Sequence, residues 1–327
     1  MKTTRAELDR LADASGYRAE ILEKVLWMLD LLQGIYEDSF LEERLALKGG
    51  TALNLFVLNL PRLSVDIDLN YIGSPDPAVA EKERPEIVDI LGRLCRSKGL
   101  TPGPPPGSHA GGKWHLTYPG QVTPTGNLEL DLNFLQRVPL WPTTIADSTT
   151  LGRHQAKKVR LMDIHDLAAG KLHALLSRTA ARDLFDAAGL AGLKGLNLEK
   201  LRLAFVVYGA TDREDWRKVT PGDITVDAKD IEHRLVPMLS GKTVPAVKDL
   251  RPWIADLSER AHRLVERLLP FTGEERAFLE GVIGAGTVDA GLLTKDSALA
   301  SRILANPALL WKVKNVQSHN KDTRSRS

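Results

Sequence analysis

Leu47-Lys48-Gly49-Gly50-Thr51-Ala52-Leu53-Asn54-Leu55-Phe56, followed by Arg62-Leu63-Ser64-Val65-Asp66-Ile67-Asp68-Leu69, has the order strand, glycine turn, helix, acidic strand. Leu45-Ala46-Leu47 reads as a short apolar strand that the glycine pair breaks. Thr51 is a candidate cap for a helix through Leu53, Leu55, Phe56 and Leu60, which Pro61 stops. From Leu63 to Tyr71 polar and apolar residues alternate, as in a strand. Successive strand side chains point to opposite faces, so Ser64, Asp66, Asp68 and Asn70 share one face and Val65, Ile67 and Leu69 the other. Carboxylates two residues apart on a strand lie about 6.6 Å apart along it. They repel unless a cation compensates, and hard oxygen donors suit Mg²⁺ or Mn²⁺.

Upstream of this stretch, residues 20–44 carry Ile21, Val25, Leu26, Leu29, Leu32 and Ile35 at helical spacing. Downstream, a helix is expected over Ala78 to Lys98, then a mobile Pro/Gly-rich loop over 101–112. Trp114, Leu116 and Tyr118 alternate, a turn follows at 123–126, and Leu128 to Phe134 alternate again, which predicts a hairpin. Its second strand places Glu129, Asp131 and Asn133 on one face. Asp131 is the expected third metal ligand, with Glu129 the alternative; three carboxylates from two strands are what a two-metal phosphoryl-transfer site needs. Gly49 and Gly50 let backbone approach an anion at a helix start, so Gly49, Gly50 and Thr51 are expected to hold an NTP tail. Ser64 and Arg62 precede the carboxylates and are further candidates for phosphate or ribose.

Asp163 is a candidate cap for a helix through Arg178, and a helix with Arg182, Asp183 and Asp186 follows. Beyond residue 190 only helical patterns recur, near 197–208, 228–239, 248–269, 274–284 and 296–305. The expectation is an α/β (α+β) domain with a mixed sheet over residues 1–160. A mainly helical domain over 161–317 would complete the active-site cleft, and 318–327 would be a polar, disordered tail. With 44 Lys+Arg against 42 Asp+Glu, the net charge of +2 favours no class of partner. The lone Cys95 excludes an internal disulfide and a cysteine-rich zinc site. Neither a signal peptide nor a membrane span is read in the sequence, so a cytoplasmic protein is expected.

The glycine–helix–acid-strand stretch resembles the AbiEii/AbiGii toxin family of nucleotidyltransferases, to which MenT-type toxins are similar. That resemblance extends to a helix lysine and an Arg-Asp-x-x-Asp element, here Lys171 and Arg182-Asp183-Leu184-Phe185-Asp186, and to the closing segment from Leu292 to Asn315. It implies a bacterial enzyme, the toxin of a toxin–antitoxin or phage-defence pair, that uses Mg²⁺ to transfer a nucleotide from an NTP to RNA. For MenT-type toxins the acceptor is the tRNA 3′ end, and a cognate antitoxin is implied as partner. By position, Lys171 is carried over as a charge on the triphosphate, and Asp186 as the group that orients it or assists the incoming hydroxyl.

Other readings compete. Lys171, Arg178, Arg182 and Asp186 could form a plain surface charge ladder on helices. Arg160 and His165 match the loose Arg-x₄-His spacing of ribonucleases resembling the HEPN family. A basic end with Lys312, Lys314, Lys321, Arg324 and Arg326 could mark a non-catalytic RNA-binding module. His165 and His173, eight residues apart on one helix, read as packing residues.

Overall fold

In a computed structural model of the protein, which describes residues 3–178, 180–244 and 250–326, the chain divides into two compact units. The first comprises Met1–Arg137, Thr143–Met162 and Ala228–Trp253; the second comprises Val138–Pro142, Asp163–Asp227 and Ile254–Ser327.

The first unit opens with α1 (Arg5–Ser15), α2 (Ala19–Glu37) and the short α3 (Ser39–Glu42). The single helix expected to residue 44 is broken at Asp38, whose carboxylate accepts from the N–H groups of Phe40 and Leu41 and so starts α3. Strand β1 (Leu45–Lys48) leads into α4 (Gly49–Ala52), continued by a wider π turn over Leu53–Val57. Strand β2 (Asp66–Tyr71), helix α5 (Pro77–Ser97), the short β3 (Thr101–Pro102) and the hairpin β4 (Gly111–Pro119) and β5 (Thr125–Asn133) follow. The expected loop thus begins with an edge strand paired to β4. Strands β6 (Thr144–Ala146) and β7 (Val159–Leu161) complete a mixed sheet of order β3-β4-β5-β2-β1-β7-β6. Its β2–β5 and β1–β7 pairs are parallel and the rest antiparallel.

Helix α2 packs on one sheet face. Leu22, Val25, Leu26, Leu29, Leu32 and Ile35 are buried, as are the facing Leu47, Ile67, Leu69, Leu130 and Leu132. Trp27 stacks on Tyr118 at 5.0 Å. Glu23, buried in the same helix, accepts from the N–H groups of Gln121 and Val122 and pins the hairpin turn. Burial pushes the Cys95 thiol up to about 12, so the lone cysteine is an inert filler on α5.

The sheet strand expected from Leu63 starts only at Asp66, because the Leu63 N–H is donated to the Met238 carbonyl at 2.8 Å rather than to a neighbouring strand. Met238 belongs to the segment that returns to this unit from far along the chain, with α9 (Ala228–Asp230) at its start. Gly241 N–H to Gly16 carbonyl and Ser240 hydroxyl to Ser15 carbonyl fasten the same segment.

The second unit is helical: α6 (Ile164–Arg178), α7 (Ala181–Ala191), α8 (Leu198–Gly209), α10 (Leu250–Glu266, which begins in the returning segment), α11 (Gly273–Glu280), α12 (Ser297–Leu304) and α13 (Pro307–Arg326). Asp163 caps α6 as expected, its carboxylate accepting from the His165 N–H. Buried Tyr208 on α8 donates to Asp166 on α6 at 2.8 Å, and burial lifts the Asp166 carboxyl to about 7. The polar end expected to be disordered is instead helical to Arg326. Asn306 caps α13 through the Ala308 and Leu309 N–H groups, Pro307 fits its first turn, and Gln317 and Asn320 donate to the carbonyls of Gly286 and Gly284. Among the described residues no helix is long and apolar enough to cross a membrane.

Candidate active site

The sheet face opposite α2 carries the acids in two transverse rows. Strand register aligns Lys48 on β1 with Asp68 on β2, Asp68 with Asp131 on β5, and Asp131 with Lys113 on β4. The neighbouring row holds Asp66, Glu129 and His115. Residues paired in register point to the same face, so the pairing brings Asp66, Asp68, Asp131 and Glu129 together from two parallel strands.

The row is flanked by cations that the sequence reading did not single out. Lys113 makes an ion pair with Glu129, and that bond holds its ammonium above the ordinary value. His115 lies 3.7 Å from the other Glu129 oxygen. Burial raises the Asp131 carboxyl, with Glu129 adding to the rise; Lys48 and Lys113 oppose it without cancelling it. The signal for Lys113 was its place in the β4 alternation with Trp114, Leu116 and Tyr118; its partner across the sheet is not a local property.

Among the described residues no three His, Cys, Asp or Glu side chains are gathered closely enough to hold a metal ion. Glu129 is turned to Lys113, and Asp68 lies against the backbone of Gly49. The donor set itself suits a hard divalent cation, being oxygen-only carboxylates in register on one face, one of them destabilised in its charged form.

Gly49 has φ +72°, and a Cβ there would lie 2.0 Å from Oδ2 of Asp68. This glycine therefore serves the approach of Asp68 to the first turn of α4, where the positive end of the backbone dipoles favours a carboxylate. Gly49→Ala is expected to cost about 1–3 kcal/mol in strain and to displace Asp68. Thermal unfolding and transfer rate check this, and a variant that matches the parent in both would disprove the contact's role. Lys48, at the cap position of α4, gives it no side-chain acceptor.

Thr51 departs from expectation. The helix starts at Gly49, and the Thr51 hydroxyl is fully buried and donated to the Asp66 carbonyl, with the Met28 sulfur at 3.7 Å. It ties α4 to β2 rather than capping the helix. Ser64 is buried ahead of β2 rather than on its face. Arg62 is buried too, its guanidinium donating to the Leu63 carbonyl.

In the second unit Lys171 is 10 % exposed, and its ammonium lies 2.8 Å from Asp183 and 2.9 Å from Asp186, which are 1 % and 0 % exposed. Burial pushes the Asp183 carboxyl up, but Lys171 and Arg178 outweigh it and hold the group below the usual range. Lys171, Asp183 and Asp186 are thus an interior charge cluster, with the exposed Arg178 reaching it from the surface, and no surface ladder. Asp183 belongs to the Arg-Asp-x-x-Asp element, yet its share in holding Lys171 was not expected from sequence.

The ribonuclease pairing finds no support in the surroundings of its residues. Arg160 on β7 donates to the Glu42 carbonyl and the Thr143 hydroxyl. His165 is buried: its Nδ1 meets Asp163 at 2.8 Å, and its Nε2 accepts from the Asn197 N–H at 3.0 Å. Both ring nitrogens are committed to structure. His173 pairs with Asp212 and stacks on Trp216.

Comparison with known proteins bears on the fold and the family. MenT4, a nucleotidyltransferase toxin from Mycobacterium tuberculosis H37Rv, shares the fold at a TM-score of 0.61 and 18 % identity, over 94 % of this chain and 99 % of that one. No curated protein sequence matches. A model of the family described as nucleotidyl transferase AbiEii toxin, type IV toxin–antitoxin system, matches residues 30–267. Since that span is the greater part of the chain and contains both the acid rows and the Lys171 cluster, the protein belongs to the AbiEii family of nucleotidyltransferase toxins.

Proposed function

We propose that the protein transfers a nucleotide from an NTP to the 3′-hydroxyl of an RNA, with tRNA as the acceptor, and that it is the toxin of a pair with a cognate antitoxin. The observation that carries the reading is the register of Asp66, Asp68 and Asp131 on one sheet face beside the glycine turn. The matched family is described as a nucleotidyl transferase toxin, and MenT4, similar in fold, is a nucleotidyltransferase toxin.

On this reading Asp66, Asp68 and Asp131 hold Mg²⁺ or Mn²⁺, and Glu129 joins them when it leaves Lys113. A divalent ion bound there supplies charge for the triphosphate and lowers the pKa of the attacking hydroxyl. Backbone N–H groups of Gly49 and Gly50 take the β/γ-phosphates at the start of α4, with Thr51 fixing that turn and Ser64 close behind it in sequence. Phosphoryl transfer is mostly positioning plus charge stabilisation, so a rigid acid row is the main requirement. Lys171 is assigned to the triphosphate by family resemblance; to act there its ammonium exchanges one carboxylate partner for a phosphate oxygen while the other, Asp186 or Asp183, orients it.

The test incubates the protein with each α-labelled NTP, Mg²⁺ or Mn²⁺, and either total RNA or tRNA, beside Asp66→Ala. Label entering the RNA with one NTP, and not with Asp66→Ala, is expected. Absence of labelled RNA with every NTP would sink the reading.

A further inference from the structure

Between Ser297 and Lys321 the chain contains no Asp or Glu, while Arg302, Lys312, Lys314 and Lys321 fall within the span. In a protein with 42 acids and 44 Lys+Arg overall, this is a local departure from balance. The span covers α12 and the larger part of α13.

Helix α13 is fastened along one side. Leu309 is fully buried, Lys312 donates to the Asp212 carbonyl, and Gln317 and Asn320 donate to the carbonyls of Gly286 and Gly284. At 3.6 residues per turn the side away from Leu309, Val313, Val316 and Asn320 presents Leu310, Trp311, Lys314, Ser318 and Lys321. All five are exposed, Leu310 at 51 % and Trp311 at 53 %. An indole left in water costs hydrophobic free energy, and α12 and α13 offer no acid in this span to neutralise the two lysines that share its face.

We infer that this outward face of α13 is a docking surface for a single-stranded segment of RNA, with Trp311 as a stacking platform for a base and Lys314 and Lys321 as phosphate contacts. The chemistry matches on both counts: every base offers a π face to an indole, and each lysine displaces a counterion from the backbone. A strip that is basic on balance would not attract an acidic peptide through an indole, nor a second copy of the same basic strip, as well as it attracts a polyanion with flat bases. The inference deepens the reading of RNA as acceptor and rests on it, but it concerns binding and is tested without NTP.

The experiment titrates a fluorescein-labelled 12-nucleotide uridine RNA with the full chain and follows anisotropy at several salt concentrations. Trp311→Ala is expected to weaken binding about tenfold, and Trp311→Phe to recover most of the loss. Lys314→Ala/Lys321→Ala should lower the slope of log affinity against log salt by about 1.4, at about 0.7 per phosphate contact on a single strand. All of these positions are exposed, so circular dichroism should show unchanged folds. No binding of the oligonucleotide, or binding unchanged in both Trp311→Ala and the double lysine variant, overturns the inference. Self-association in sedimentation that Trp311→Ala abolishes, with RNA affinity unaltered, overturns it in favour of a protein interface. Binding that survives in Asp66→Ala supports it. Failure of nucleotide transfer with every NTP would defeat the proposed reaction and leave this binding result standing, so the two outcomes separate.

Discussion

Asp131→Asn is expected to reduce nucleotide transfer by on the order of 10³-fold, the loss that follows when about 4 kcal/mol of charge stabilisation is removed, while leaving a fold at least as stable as the parent. The two effects have one cause. Asp131 stands in register with Asp68, and burial raises its carboxyl even though Lys48 and Lys113 pull it down. A carboxyl whose folded pKa lies above its unfolded value contributes stability at low pH and loses that contribution as pH rises through the folded pKa. Asn stays neutral throughout, so the variant's margin over the parent should grow as pH climbs from about 4, where the unfolded group titrates, and level off above the folded pKa. Initial rates with α-labelled NTP and denaturant melts across that range measure both effects. An active Asp131→Asn, or one that loses activity because it unfolds, removes the residue from the site. Such a trade of stability for activity is the usual cost of crowding like charges where a ligand is to bind.

Lys171→Met is expected to destabilise the second unit by about 3–5 kcal/mol, the range for breaking a buried ion pair from one side. The ammonium it removes is shared by Asp183 and Asp186, both interior. Arg178 still reaches Asp183 at 2.7 Å. The pH dependence identifies the mechanism. In the parent, Asp183 is held below its ordinary value, so its contribution is present above the unfolded pKa and is lost as pH falls through the folded one. With Lys171 gone that downward pull on Asp183 weakens, so the variant should lose less stability than the parent as pH falls through this range. Lys171→Met combined with Asp183→Asn and Asp186→Asn should recover most of the loss. A Lys171→Met protein with unchanged melting temperature and impaired transfer would instead mark the ammonium as a group spent on substrate.

Much of this was legible in the sequence because it depends on local periods. The alternation from Ile67 to Tyr71 and from Leu128 to Asn133 assigns the acids to one face and the leucines to the other, whatever the strands pair with. The helical spacing in α2, α5, α6 and α7 and the Asp163 cap are equally local. The misreadings fall where a local signal met a stronger distant partner. Thr51 has the right chemistry for a cap, but its hydroxyl finds the Asp66 carbonyl in the interior. Ser64 lies in an alternating run, but the Met238 carbonyl takes the N–H of Leu63 before the sheet begins. The polar last turns offer no apolar stripe, and it is the Gly284 and Gly286 carbonyls that hold them in α13.

By itself the sequence determined which residues of each strand face together, where the backbone turns at Gly49, and that carboxylates would be crowded on one side of a sheet. These follow from the two-residue and 3.6-residue repeats and from glycine's access to positive φ, properties of a few consecutive residues. Only the tertiary structure decided that Asp68 aligns with Asp131, that Lys48 and Lys113 close the row, that Asp183 shares Lys171, and that 228–253 return to the first unit. Register and charge partnership join residues tens to hundreds of positions apart, and which pairs form is settled by how the whole chain buries its apolar surface, which no short stretch of it encodes.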